Sequence, residues 1–316
     1  MCTGVRFVDD NDNMYFGRNL DWSCGYGQKV VVTPRNYTYN SAFLGEMMPK
    51  FGAIIGMAIV VENKPLYFDC ANEAGLAIAG LNFPGYASYA PDAVDGKTNV
   101  AAYEFPLWVV MNFDSVDEVE KALKKTAIVS KPINEQFPVS ELHFIIGDKK
   151  RSIVVEYTAN GMEIFDNDVD VLTNQPGYGW HKENLRNYLN LIPQMPKEVR
   201  WGKAKMTAFG SGSLIRGLPG DYYSPSRFVR VAYLNTHYPV KSGEAENVSR
   251  LFHTLTGVAM IDGAAQMANG DCEITVYTGG YSSASKTYYY NTYEDPAIQS
   301  VKMEEQNLDS HELIQI

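Results

Sequence analysis

The residue of this 316-residue chain best placed to do chemistry is the second one. Met1 precedes Cys2, and a methionine ahead of so small a residue is normally removed during maturation. The mature chain then opens on a cysteine that carries a thiol and a free α-amine together. An α-amine titrates near pH ~7.7–8.0, against ~10.4 for lysine. It can take up a proton at neutral pH and act as base for its own thiol, so no histidine is needed. The alternative for Cys2 is a buried or merely exposed N-terminal cysteine, since free cysteine is ordinarily just a small hydrophobe. Arg18 and Asp21 lie in Phe16-Gly17-Arg18-Asn19-Leu20-Asp21-Trp22, a stretch expected to return beside Cys2. A guanidinium there favours thiolate, and a carboxylate there orients an α-ammonium. A plain surface ion pair between the two is the alternative.

Other local motifs do not compete. The chain lacks G-x-x-x-x-G-K-[ST], H-E-x-x-H and G-x-S-x-G, and Gly210-Ser211-Gly212-Ser213 has the wrong spacing for the last. The acidic run at Asp9, Asn11 and Asn13 loosely resembles a calcium loop, but Met14 stands where glycine is needed and no glutamate closes it. A polar hairpin turn is the better reading. His143, His181, His237, His253 and His311 are scattered without a ligand pair, and each is expected to be structural or on the surface. Cys2, Cys24, Cys70 and Cys272 form no C-x-x-C, so neither a zinc knuckle nor a disulfide framework is expected.

The elements that must position Cys2 read as blocks. Cys2 to Val8 and Met14 to Trp22 are strands around the Asp9–Asn13 turn. Further strands are expected at Lys29 to Thr33, Ala53 to Val61, Leu66 to Ala71 and Gly75 to Leu81. Tyr103 to Phe113 reads as a helix with an apolar stripe, and Ser115-Val116-Asp117-Glu118 as the capping box of a second. Strands resume at Leu142 to Ile146, Ser152 to Tyr157, Met162 to Phe165 and Val169 to Thr173, with Asn160-Gly161 as a hairpin signal. Helices are expected near Lys182 to Leu191, from Ser224 to about Leu234 and from Gly243 to about Thr256; strands at Glu273 to Thr278 and Lys286 to Tyr293 close the chain. Strands and helices in blocks, without strict βαβ alternation, mean α+β. No linker composition and no repeat divides the chain, so one domain, residues 2–316 after loss of Met1, is expected.

Composition narrows the function. Hydrophobic residues at 45% and charged residues at 20% exclude wholesale disorder. A net charge of -10 argues against nucleic acid and against anionic lipid as partners. No run approaches the ~18 apolar residues that span a bilayer. The chain reaches Asp9 and Asp10 without the basic and apolar opening of a secretory signal, which together with the sparse cysteines leads to an expected cytoplasmic location.

The opening Cys2-Thr3-Gly4 and Phe16 to Trp22 resemble the choloylglycine hydrolases, N-terminal-nucleophile amidases that comprise bile salt hydrolases and penicillin V acylases. The resemblance runs through Asn72 to Gly85, Leu172-Thr173-Asn174-Gln175-Pro176, Gly217 to Asp221, Ser224-Pro225-Ser226-Arg227-Phe228 and Tyr288 to Pro296, in family order along essentially the whole chain. It implies a four-layer αββα sandwich and hydrolysis of the amide between a bile acid and glycine or taurine, without metal or cofactor. It implies Cys2 as nucleophile, Arg18 beside its sulfur, Asp21 as partner of the α-amine, and Asn174 with the Asn82 position as oxyanion donors. Arg227 would brace the cluster. From the residues alone, Asn82 could be a turn residue, Asn174 a strand-end cap and Arg227 a surface residue of a first helical turn. The Asn82 position is usually tyrosine in penicillin V acylases, which sets this chain on the bile-salt side. The resemblance also implies an apolar steroid pocket, for which Leu20, Tyr26, Met57, Ile59, Phe68, Ile133 and Phe137 are the candidates, with core packing the alternative for most. It implies a homotetramer. Residues 191–220, with Ile192, Met195, Trp201, Met206 and Phe209 in no regular period, would be either an excursion between subunits or a surface loop.

Overall fold

Asp9 shapes the first hairpin. Its Oδ1 accepts the backbone N–H groups of Asn11 and Asn13, both at 2.9 Å, and closes the acidic turn locally. The flanking strands β1 (Cys2–Val8) and β2 (Met14–Trp22) then pair from Cys2↔Leu20 to Val8↔Met14. The computed structural model describes residues 1–316. Two antiparallel sheets dominate it. The larger has eight strands, built from β3 (Lys29–Thr33), β4 (Ile54–Val61), β5 (Lys64–Asn72), β6 (Ala77–Asn82), β7 (Leu142–Gly147), β8 (Ser152–Thr158) and β9 (Gly161–Asp166), with the short C-terminal strand Ile314–Gln315 on its edge. Its order is β9-β8-β7-β6-β5-β4-β3 and then that edge strand. The other sheet has six strands. It adds β10 (Val171–Leu172), β11 (Ile274–Ser282), β12 (Thr287–Thr292) and β13 (Gln299–Lys302) to the first hairpin, in the order β10-β1-β2-β11-β12-β13.

The larger sheet buries both faces, and the pleat sorts its residues between two cores. Val30, Val32, Ile55, Met57, Ala79, Leu81, Ile145 and Val154 point to the core shared with β1 and β2. Their neighbours Val31, Ile54, Ala58, Ile78, Phe144, Ile146, Ile153 and Val155 point the other way, to α1 (Phe105–Asn112) and α2 (Val116–Leu123). On the far side, α4 (Ser224–His237) and α5 (Glu244–Thr256) cover the six-stranded sheet and supply Phe228, Val231, Leu251 and Leu255 to the first core. The short α3 (Tyr178–Asn184) packs beside α4. Helix, sheet, sheet, helix is the expected αββα order.

Three local expectations are corrected. Tyr103 to Phe113 has no stripe: a 3-10 turn at Ala102–Glu104 leads into α1, and every residue from Phe105 to Met111 is buried, because the helix lies wholly under the sheet. Ser115 makes no side-chain cap bond; the carboxylate at this helix start comes from outside the segment, with Asp148 Oδ2 accepting the Val116 N–H at 2.8 Å. The helix expected from Lys182 starts earlier, at Tyr178, and passes into a 3-10 turn at Leu185–Tyr188.

Candidate active site

The β1 register assembles the cluster. Gly4 faces Arg18 on one side and Leu172 on the other. Two residues back along β1 lies Cys2; two residues on from Leu172 lies Asn174. The same register therefore sets them opposite each other, and the Cys2 N–H donates to Asn174 Oδ1 at 2.8 Å. Cys2 is buried, 4% exposed.

Arg18 and Asp21 are not a surface ion pair: both are buried, and no ion pair joins them. Arg18 Nη2 donates to Cys2 Sγ at 2.6 Å, while Nη1 donates to the carbonyls of Gly80 at 2.8 Å and Phe68 at 3.1 Å. Burial works against the Arg18 cation, but Cys2, Tyr277, Asp69 and Asp21 more than reverse that, so it stays protonated. The Arg18 guanidinium lies 5.9 Å from the centre of the Tyr277 ring. Behind that ring sits Asp69, which accepts the hydroxyls of Tyr277 at 2.5 Å and Tyr288 at 2.7 Å. Burial raises the Asp69 carboxyl, against the pull of Arg18 and the two tyrosines. Gly279 is required here, since a Cβ on it would run into the Tyr288 hydroxyl.

Asp21 Oδ1 accepts from Thr275 Oγ1 at 2.6 Å, and its Oδ2 is buried with no partner. Burial raises this carboxyl too; Arg227 and the chain's terminal amine oppose that most. With Met1 in place, the terminal ammonium bonds to the Asp21 carbonyl at 2.5 Å and to Glu273 Oε1 at 2.9 Å. The Cys2 nitrogen is then an amide and has no basicity. Loss of Met1 would turn it into an amine at the same place, with Asn174 Oδ1 already before it.

Arg227 is fully buried, not a surface residue of its helical turn. It donates to the Cys2 carbonyl and Thr3 Oγ1, both at 2.6 Å, and to Asn174 Oδ1 at 2.7 Å. Asn174 Nδ2 donates one hydrogen to the Asn82 carbonyl at 2.7 Å, which leaves its second hydrogen for another acceptor. The Asn82 side chain itself makes no hydrogen bond in the structure and is half-buried at the end of β6.

Two histidines hold the Thr173–Asn174 segment from behind. His143 Nε2 meets the Thr173 carbonyl at 2.8 Å and its Nδ1 meets Glu156 Oε1 at 3.0 Å, while the ring stacks on Phe83 at 4.1 Å. His181 Nε2 donates to the Asn174 carbonyl at 2.9 Å. Burial pushes His181 down to about 4, so the ring is neutral, and its Nδ1 has no partner. The expectation of structural histidines holds for these two; His237, His253 and His311 are exposed. Sequence reasoning missed Asp69, Tyr277 and Tyr288. The one available signal was a carboxylate inside the otherwise apolar run Leu66-Tyr67-Phe68-Asp69-Cys70-Ala71.

The candidate pocket residues divide. Leu20 and Met57 belong to the apolar cluster that contains Cys2, and Phe68 packs on it. Tyr26, 45% exposed, lies 5.6 Å from Phe68 with the rings tilted by 39°, and its hydroxyl is pushed up to about 12, mainly by burial and then by Cys24 and Cys2. Ile59 lies further along the hairpin of β4 and β5, opposite Leu66. Ile133 and Phe137 sit on a half-buried loop anchored to that hairpin through Asn134 Nδ2 and Glu62 Oε1 at 2.8 Å. These three stand outside the cluster around Cys2. No helix is long and apolar enough to cross a membrane.

Comparison with known proteins sets this geometry in context. Residues 2–316 match the model of linear amide C–N hydrolases, choloylglycine hydrolase family. A protein of Bifidobacterium longum subsp. longum named bile salt hydrolase/transferase is 57% identical over 316 residues, which is 100% of this chain and 99% of that one. Among solved structures, conjugated bile acid hydrolase from Clostridium perfringens, as its C2A variant, superposes with a TM-score of 0.93 at 38% identity and covers 100% of this chain and 96% of its own. Penicillin V acylase from Agrobacterium tumefaciens shares the fold at a TM-score of 0.77 and 20% identity, covering 99% of this chain and 90% of its own.

Proposed function

Because the chain belongs to the choloylglycine hydrolase family and is therefore an amide-bond hydrolase, we propose that it cleaves conjugated bile salts into a bile acid and glycine or taurine. The observation that carries this reading is the contact of Cys2 Sγ with a buried, protonated Arg18, inside a cluster closed by Asn174 and Arg227. Once Met1 is removed, the Cys2 thiolate attacks the amide carbonyl and the carbonyl oxygen becomes an oxyanion. Asn174 Nδ2, with its second hydrogen, and the Asn82 site donate to that oxygen. Oxyanion donors of this kind contribute about 2.7–4 kcal/mol each. The α-ammonium of Cys2 protonates the departing amino group, and the C–N bond breaks to leave a thioester. The same α-amine then takes a proton from water, hydroxide adds to the thioester, and the bile acid leaves as the thiol reforms. Asp21 orients the α-ammonium, and Arg227 holds the Cys2 carbonyl and Asn174 in place.

The steroid would rest against Leu20, Met57, Phe68 and Tyr26, with Ile59, Ile133 and Phe137 at the outer wall, an apolar surface with few polar fixtures. A homotetramer in the cytoplasm is part of the proposal. What favours an assembly is residues 191–220, where a short exposed hairpin of Val199–Trp201 and Ala204–Met206 leaves Trp201 77% exposed. The test is one assay of purified protein with glycocholate, taurocholate and penicillin V, measuring released amine and released side-chain acid. The proposal predicts higher kcat/KM for the bile salts; equal or higher kcat/KM for penicillin V would overturn it.

A further inference from the structure

A second pair of thiols lies beyond the Cys2 cluster. β2 and β11 pair through Asp21↔Thr275 to Trp22↔Ile274, where the ladder ends. Two residues beyond that last pair lie Cys24 on one side and Cys272 on the other, where Cys272 forms an isolated bridge with Gln266. The chain bends away at Ser23, but the two cysteines remain neighbours: both line one open cavity of about 340 Å³, together with Ser23, Ile274, Asp262 and Asp271. Cys24 is exposed and Cys272 half-buried, so solvent reaches this pair; Cys70 is buried, with its thiol pushed up by burial. A disulfide needs Cβ atoms ~3.5–4.5 Å apart, and the bend at Ser23–Cys24, free of the ladder, is the part that moves to reach it.

We propose that Cys24 and Cys272 form a dithiol site that reacts with low-molecular-weight disulfides and closes into an intramolecular disulfide. Cys24, the more exposed, gives up its proton to water, and its sulfur attacks one sulfur of the small disulfide. That S–S bond breaks, and one small thiolate leaves and is protonated. The Cys272 thiolate then attacks Cys24 Sγ in the mixed disulfide and expels the second small thiolate, which is protonated in turn. The two protein thiols are oxidised to one disulfide, and the small disulfide is reduced to two thiols. Asp262 and Asp271 flank the site on a chain of net charge -10, so cationic disulfides are favoured over anionic ones. In a reducing compartment the pair stays open, and it closes when the protein meets an oxidising medium. The bridge would tie the bend that leads to Tyr26 to the segment that carries Glu273, the carboxylate at the terminal amine. It closes a very long loop, the case in which restriction of the unfolded chain is largest.

The inference does not depend on the amidase reading, and its test uses the Cys2→Ala chain so that Cys2 cannot compete for the probe. The protein is treated with cystamine or, separately, with glutathione disulfide; peptides are mapped without reduction, and a thermal melt is recorded. The expected result is a Cys24–Cys272 cross-linked peptide that forms several-fold faster with cystamine, with a melting temperature several degrees higher. Cys24→Ser and Cys272→Ser should each abolish that rise. A lasting mixed disulfide at Cys24 with Cys272 still free would overturn the proposal, as would an unchanged melt after complete reaction.

Discussion

Replacing Arg18 with leucine removes a buried cation 2.6 Å from the Cys2 sulfur. Among the groups that favour the Arg18 cation, Cys2 acts most strongly. Two unit charges ~4 Å apart interact by about 4 kcal/mol at an effective dielectric of ~20. An upward move of the acidic limb of the pH–rate profile is the expectation, smaller than that full interaction because Arg227 and the α-ammonium remain nearby. The sign follows from charge: without the cation, the thiolate forms only at higher pH. The substitution also strips the Phe68 and Gly80 carbonyls of their donor. Each buried acceptor left unpaired costs about 1–3 kcal/mol, so the melting temperature should fall as well. The assay is kcat/KM against pH for both proteins, with the pH dependence of iodoacetamide inactivation as an independent reading of the thiolate. A lowered melt with an unmoved acidic limb would refute the electrostatic role and leave Arg18 as scaffold.

Asp69→Asn should move the same limb downward, since it removes the buried anion that Tyr277 and Tyr288 hold behind Arg18; a limb that stays put or rises, measured as above, would count against that. Asn174→Ala should lower kcat by roughly 10²–10³-fold with a smaller change in KM, because an oxyanion donor acts mainly in the transition state; steady-state kinetics with glycocholate read the split. Asn82→Tyr should reduce bile salt turnover by filling the space before Asn174, and undiminished kcat/KM for glycocholate would contradict it. Glu156→Ala should cost about 1–3 kcal/mol for each group it strands in urea unfolding, the scale for a buried polar group left unpaired, since His143 Nδ1 and the Tyr178 N–H both lose their partner.

The first hairpin could be read from the sequence because alternation and an Asp/Asn turn lie within twenty-odd residues of each other. Cys2 and Arg18 came with it, since one ladder register fixes both, and Asp21 follows on the same strand. Thr98–Ala101 and Thr126–Val129 were not read as strands; they are four residues each and pair in parallel across intervening helices, so nothing local marks them. The block pattern gave α+β and the family resemblance implied the αββα order, but the sorting of residues between the two cores was in neither. A strand buried on both faces shows no alternation to read. The Asp69–Tyr277 bond spans 208 residues, and only the folded chain brings its ends together. The same holds for His143 and Glu156: a scattered histidine in a sequence gives no sign that its ring will support the carbonyl beside Asn174.

The claim on which the account turns is that a chain beginning at Cys2 hydrolyses the bile salt amide through its own terminal residue. One measurement tests it most directly: glycine released from glycocholate by wild type and by Cys2→Ala, each with its intact mass determined on the same sample. The account predicts glycine and cholate in equal amounts from a wild-type chain that has lost Met1, and none from Cys2→Ala of the same melting behaviour. Release by a uniformly Met1-bearing chain, or undiminished release by Cys2→Ala, would contradict it.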